Sequence, residues 1–191
     1  MGGIYPLGVA PGTRIRHNVF HDIEARGYGG WAIYTDEGSS HILIENNLCY
    51  RTKHAGFNQH YGRDNIVRNN IFACGRAALI SRSRLEAHNA FTFTGNIIYL
   101  DNDGSVLAGD WSAGNAVVDR NLYFSSKRGK TLDFAGRTFK QWQRFGMDRQ
   151  SIVANPRFAD PAAGDFALAA DSPAAKIGFV LFDFSTVGPR P

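Results

Sequence analysis

Cysteine is nearly missing from this sequence. Cys49 and Cys74 are the only two in 191 residues, and they form neither a C-x-x-C pair nor a metal-ligand spacing. A disulfide scaffold or zinc site is therefore not expected, and both read as free, buried thiols. No apolar run approaches the ~20 residues of a membrane span, so no membrane partner is expected. The opening MGGIYPLGVAPGTRIRHN lacks the charged start, apolar core and cleavage site of a signal peptide. Charge of one sign is nowhere concentrated. The formal net charge is +4, and Arg14, Arg16, Arg51, Lys53, Arg76, Arg82, Arg84, Arg120, Lys127 and Arg128 are scattered along the chain. Nucleic-acid binding, which wants a basic face, is not expected. An anionic polysaccharide stays compatible with the charge. There is no phosphate-cradling glycine loop and no G-x-S-x-G nucleophile motif. LDNDGS, ending at Ser105, lacks the distal Glu of a calcium loop and reads as a turn, so no metal is expected.

What is present is a repeat. Five segments, IRHNVF, IENNLC, VRNNIF, FTGNII and VDRNLY, share an Asn followed by two apolar or aromatic residues. The shared Asn18, Asn47, Asn70, Asn96 and Asn121 lie 29, 23, 26 and 25 residues apart. Periods of this size mark stacked units that cannot bury an apolar face alone. The Leu-x-x-Leu-x-Leu of leucine-rich repeats and the ten-residue amphipathic runs of helical repeats are both lacking. The segments are short, β-branched and aromatic, and they are bounded by Gly, Asn, Asp and Ser. WAIYT, AGFNQHY, AALIS and SVLAG supply a further strand ahead of each Asn segment. The expected fold is all-β, a right-handed parallel β-helix of about five to six coils. Each Asn stacks on the last as a ladder at one corner, where Asn tolerates left-handed φ and can hydrogen-bond along the stack.

The expected domain is single, 1–191, with stacked coils over 1–126 and a C-terminal cap and tail over 127–191. Phe139, Trp142 and Phe145, at i, i+3 and i+6, predict a short amphipathic helix in that cap. No matching cap precedes TRIRHNVF, and solenoids cover their open ends. The chain is accordingly expected to be the C-terminal part of a longer β-helix, or to form a homo-oligomer through its uncapped first coil.

The stretch GWAIYTDEGSSHILIENNLCYRT…GFNQHYGRDNIVRNNIFA resembles the bacterial β-helix proteins of the pectate-lyase-like superfamily. It is most similar to the branch holding glycoside hydrolase family 141 and its uncharacterised relatives, over most of residues 12 to 180. NPRFADPAAGDFALAADSPAAKIGF is similar to the tail closing many such domains. The resemblance implies a secreted or cell-surface protein that cleaves plant or gut polysaccharides through carboxylates. The acid of TDEGSS, Asp36, and the QHYG segment, Gln59 to Gly62, match the branch's pattern.

Counting eleven residues back from each ladder Asn aligns Asp36, Gln59 and Asp110, with His60 level with Glu37 and Trp111. Arg82 or Arg84 fills the intervening coil. With Tyr34, Tyr61 and Arg63 alongside, this column reads as a sugar-binding strip, in which rings stack on sugar faces and polar groups bind hydroxyls. The catalytic candidates are Asp36, His60, Glu37 and Asp64. Tyr34, Gln59, Tyr61, Arg63, Arg82, Asp110 and Trp111 are the substrate-binding candidates. Coils ~4.8 Å apart put Asp36 and Asp110 at ~14 Å, too far for a glycosidase carboxylate pair. Asp36 and Glu37 point apart if both lie on the strand, whereas His60 one coil on can shuttle a proton or orient a carboxylate. The expected activity is glycoside hydrolysis of a polysaccharide or oligosaccharide without a cofactor. Non-catalytic carbohydrate binding is an alternative. A lyase is another, with His60 and Arg63 acting on a uronate, and only there is calcium expected.

Overall fold

The computed structural model describes residues 2–129, 131–185 and 187. Fifteen strands form five coils of three. The first coil is β1 (Gly2–Ile4), β2 (Arg14–Arg16) and β3 (Val19–Ile23); the second is β4 (Trp31–Thr35), β5 (Leu43–Glu45) and β6 (Leu48–Thr52). The third is β7 (Phe57–Gln59), β8 (Asn65–Arg68) and β9 (Ile71–Ala73), and the fourth β10 (Ala78–Arg82), β11 (Phe91–Thr94) and β12 (Ile97–Leu100). The fifth is β13 (Ser105–Gly109), β14 (Val117–Asp119) and β15 (Leu122–Ser125), and β16 (Ile152–Val153) opens a sixth. Three parallel sheets result. The first runs β1-β4-β7-β10-β13, the second β2-β5-β8-β11-β14 and the third β3-β6-β9-β12-β15-β16.

Each sheet stacks like on like. Ile33, Phe57, Ile80 and Leu107 fall in register on the first, Ile44, Val67, Phe93 and Val118 on the second, and Cys49, Phe72, Ile98 and Tyr123 on the third. These side chains fill one interior, so coil-to-coil contact does the work that a globular core does elsewhere. Cys49 and Cys74 are buried and free.

The asparagine ladder is continuous. Asn18, Asn47, Asn70 and Asn96 each donate a side-chain N–H and the backbone N–H to Oδ1 of the next ladder residue, at 2.9–3.2 Å. The left-handed conformation belongs one residue earlier than expected. His17, Asn46, Asn69, Gly95 and Arg120 have φ of 53–64°, and the ladder asparagines do not. The turn is thus made by the preceding residue, which leaves the ladder amide to point inward.

The ladder ends in Asp148. Its carboxylate accepts from Asn121 Nδ2, Tyr123 OH, Trp142 Nε1 and Ser151 Oγ at 2.5–3.0 Å. Just before it, helix α1 (Phe139–Arg144) closes the solenoid, as Phe139 and Trp142 predict. Thr138 and Gln141 form a reciprocal capping box, and Trp142 is fully buried against Trp111 and Phe134.

The remaining tail covers a side of the solenoid instead of its end. The antiparallel hairpin β17 (Phe158–Asp160) and β18 (Asp165–Leu168) and the 3-10 helix Pro173–Ile177 lie on the outer face of the third sheet. Phe166, Ile177 and Phe179 bury Leu48, Ile71, Ile97 and Leu122 there. Travelling back toward the first coils, the tail pairs the Val180 backbone with the Asn69 amide and sets Phe182 edge-on to His17.

Candidate functional site

The first sheet repeats an unusual facing pattern. Ala32 with Ile33, Leu79 with Ile80, and Val106 with Leu107 all join the interior, while Trp31, Tyr34, Ala55, Ala78 and Ala108 pack together on the outside. Strands β4, β10 and β13 therefore share an out, in, in, out order over their first four residues. Register then pairs Thr35 with Gln59, Gln59 with Arg82 and Arg82 with Gly109. This corrects the column counted back from the asparagines. Twelve, eleven, fourteen and twelve residues separate these partners from their ladder Asn, because the turn between the first and second sheets varies in length.

Three expected surface residues are consequently interior. Gln59 is fully buried, its Oε1 accepting from Thr35 Oγ1 at 2.8 Å and Asn65 Nδ2 at 3.0 Å. Arg82 is fully buried too. It donates to the carbonyls of Asp110 and Ala113 and lies 4.3 Å over the ring of Trp111, itself buried. Loss of hydration lowers the Arg82 pKa to about 10. All three build the scaffold and none faces a substrate. Asp110 is exposed but caps a turn, and its bonds from Ser112 N and Oγ hold its carboxyl below the usual range.

The corrected register sets His60 beside Asp36, one residue past the Thr35–Gln59 pair. His60 Nδ1 donates to Asp36 Oδ1 at 2.7 Å, and the backbone N–H of His60 binds Thr35 O at 2.9 Å. The His60 side chain is 29% exposed and that of Asp36 11%. With Nδ1 committed to the carboxylate, Nε2 is the ring nitrogen left for a substrate. Tyr61 packs edge-on against His60 at 5.0 Å, and Arg84 covers the Tyr61 ring at 4.6 Å. Glu37 is exposed beyond the strand end. Asp64 and Arg63 lie past the corner, on the rung above His41, where the Asp64 carboxylate meets Asn89 Nδ2 at 3.3 Å and Arg63 Nε at 4.0 Å. Neither is brought into the Asp36–His60 pair.

Two features escaped the sequence reading. The longer fourth turn carries Glu86, whose Oε2 accepts from Gly62 N at 3.0 Å and lies 3.1 Å from His88 Nε2. This is a second carboxylate–imidazole pair one turn from the first; the extra length of SRSRLEAHNAF was its only sign. The other is an aromatic cluster on the outer face, at the N-terminal end of the first sheet. Trp31 lies 4.8 Å from Tyr28, 4.8 Å from Tyr34 and 4.9 Å from His54, with Tyr5 4.8 Å from Tyr34. Tyr34, the one member expected to touch substrate, is covered, and burial together with Tyr28 raises its pKa. Among the described residues no three His, Cys, Asp or Glu converge in a way that could hold a metal.

The comparisons with known proteins agree with this architecture. The chain is 26% identical over 171 residues to "Uncharacterized protein YwoF" of Bacillus subtilis (strain 168); the match covers 86% of the chain and 31% of that relative. The chain thus spans about a third of the curated relative it matches. No solved structure matches it. The family profile described as "Right handed beta helix region" matches residues 1–122, well over half of the chain. The protein belongs to the right-handed β-helix family.

Proposed function

We propose that this β-helix is carbohydrate-active and cleaves glycosidic bonds by hydrolysis, with the Asp36–His60 pair as its proton-transfer centre. The 2.7 Å hydrogen bond from His60 Nδ1 to a shielded carboxylate, at the rim of an aromatic sheet face, carries this reading. Asp36 fixes the ring's tautomer and orientation and offsets charge on the imidazolium. His60 takes a proton from water through Nε2 as the water oxygen bonds to the anomeric carbon. The glycosidic C–O bond breaks, solvent protonates the departing sugar oxygen, and the imidazolium then releases its proton to solvent. The roles expected from sequence are thereby exchanged, with His60 reacting and Asp36 positioning. Support for a saccharide comes from the Tyr61 ring beside His60.

The test is an assay on xylan, fucosylated and pectic polysaccharides with wild type, His60→Ala and Asp36→Asn. Loss of the general base lowers the rate by about 10²–10⁴-fold. New reducing ends without near-ultraviolet absorbance identify hydrolysis, and an absorbing unsaturated product identifies a lyase. Activity that survives unchanged in both variants ends the assignment. One observation favours a binding-only role: the nearby carboxylates of Asp64 and Glu86 are already engaged by protein groups. Retardation in affinity electrophoresis without any product would establish that role.

A further inference from the structure

We propose that Trp31 and His54 form a saccharide subsite on the outer face of the first sheet, and that Tyr28 is the flap covering it. The ligand class rests on the carbohydrate reading above; the subsite rests on its own geometry.

Trp31 is 3% exposed, yet its indole Nε1–H has no hydrogen-bond partner among the described residues. Buried indole N–H groups usually find one. His54 Nδ1, on the ring 4.9 Å away, is equally unpartnered. Burial and the neighbouring Lys53 lower the His54 pKa, so the ring is neutral at neutral pH and can present a nitrogen lone pair. A donor and an acceptor then lie on rings 4.9 Å apart, the complement of a sugar hydroxyl, which accepts from Trp31 and donates to His54. Ala55 and Ala78 floor the adjacent sheet with nothing larger than a methyl group.

What closes this position is Tyr28. Its ring meets Trp31 edge-on and its hydroxyl lies 3.3 Å from Tyr34 OH, yet the residue is 71% exposed. One ring contact and one long hydroxyl contact hold it over the cluster. The flanking Gly27, Gly29 and Gly30 allow the segment to swing, and Gly29 and Gly30 have φ of 122° and 93°. The base is fixed. Lys53 Nζ donates to the carbonyls of Ala25 and Gly27, and a Cβ on Gly30 would stand 2.6 Å from Lys53 Cβ. Motion is therefore confined to Tyr28 and its immediate neighbours. In the open form the indole face and the two unpartnered nitrogens meet a saccharide ring together.

The experiment measures acrylamide quenching of the Trp31 fluorescence, taken as wild type minus Trp31→Phe, with and without xylohexaose or tetragalacturonate. Tyr28→Ala is expected to raise that quenching about twofold or more, and a bound oligosaccharide to suppress it. Trp31→Phe keeps a smaller aromatic ring and loses the N–H, so it and His54→Ala each weaken binding about three- to tenfold, as the loss of one hydrogen bond does. Circular dichroism checks that the variants fold. Quenching unaltered by Tyr28→Ala, or oligosaccharide affinity unaltered in both other variants, overturns the proposal. So does a failure of both sugars to bind. Cleavage by wild type with an unchanged KM in Trp31→Phe removes the subsite and leaves the hydrolase. Binding at Trp31 without cleavage removes the hydrolase and leaves the subsite.

Discussion

At the scale of single residues, the polar side chains of this protein divide by how completely they are used. Asn70 donates Nδ2 to Ile44 O, Arg68 O and Asn96 Oδ1, and its Oδ1 receives two N–H groups from Asn47. Replacing it with alanine strands several buried groups at once. Urea denaturation of Asn70→Ala is expected to show a loss of about 2–4 kcal/mol, since each unsatisfied buried group costs about 1–3 kcal/mol. Asp148 is a stronger case because it is ionisable. Burial raises its pKa despite four donors. A carboxyl raised in the folded state favours folding most below its unfolded pKa of about 3.9, and that advantage is lost as pH rises through the folded value. Asp148→Asn cannot titrate. The stability of wild type relative to this variant is expected to grow as pH falls from 7 toward 4, as thermal melts across that range will show. By contrast His60 offers one free ring nitrogen, and that incompleteness marks it out.

Elements explain what was and was not legible. The ladder could be read because each Asn precedes a strand that must alternate inward and outward on the third sheet, so residue type and position are tied together. The helix could be read from Phe139 and Trp142 because both must reach the last coil. Gln59 and Arg82 could not. Two consecutive inward residues on β4, β10 and β13 shift the alternation, and the turns that follow differ in length, so counting from the Asn places Asp36 and Asp110 one residue past the row of Gln59 and Arg82. Polarity then pointed the wrong way, since a buried Arg over a Trp ring looks from sequence like a surface cation beside a sugar platform. The Asp36–His60 partnership was legible because a one-residue slip still left the two on adjacent coils. Trp142 gives the clearest element-level prediction. Trp142→Ala opens a cavity against Trp111 and Phe134 and removes a donor to Asp148. A loss of about 3–5 kcal/mol is expected in chemical denaturation.

Across the whole molecule, a stack of coils in which each touches only its neighbours is prone to fray from an end. The tail changes this by touching coils that lie far apart in sequence, with Val180 bound to Asn69 across 111 residues. Deleting residues 179–187 removes Phe179, Phe182 and Phe184 from the third sheet. Hydrogen exchange at Leu48 and Ile71 is then expected to rise more than at Ile44 and Val67, whose strands lie on the second sheet. Equal protection on both sheets would show that the tail is merely decorative.

The route of that tail also dictates an order of events during synthesis. Coils can stack one after another as they leave the ribosome, because each needs only its predecessor. The outer row of Leu48, Ile71 and Ile97 has no such local partner, and its cover, from Phe158 to Phe184, is made only after all five coils. A nascent chain thus carries a fully formed but sticky flank until that cover has been made, and that flank is where chaperones or self-association would act on an unfinished molecule.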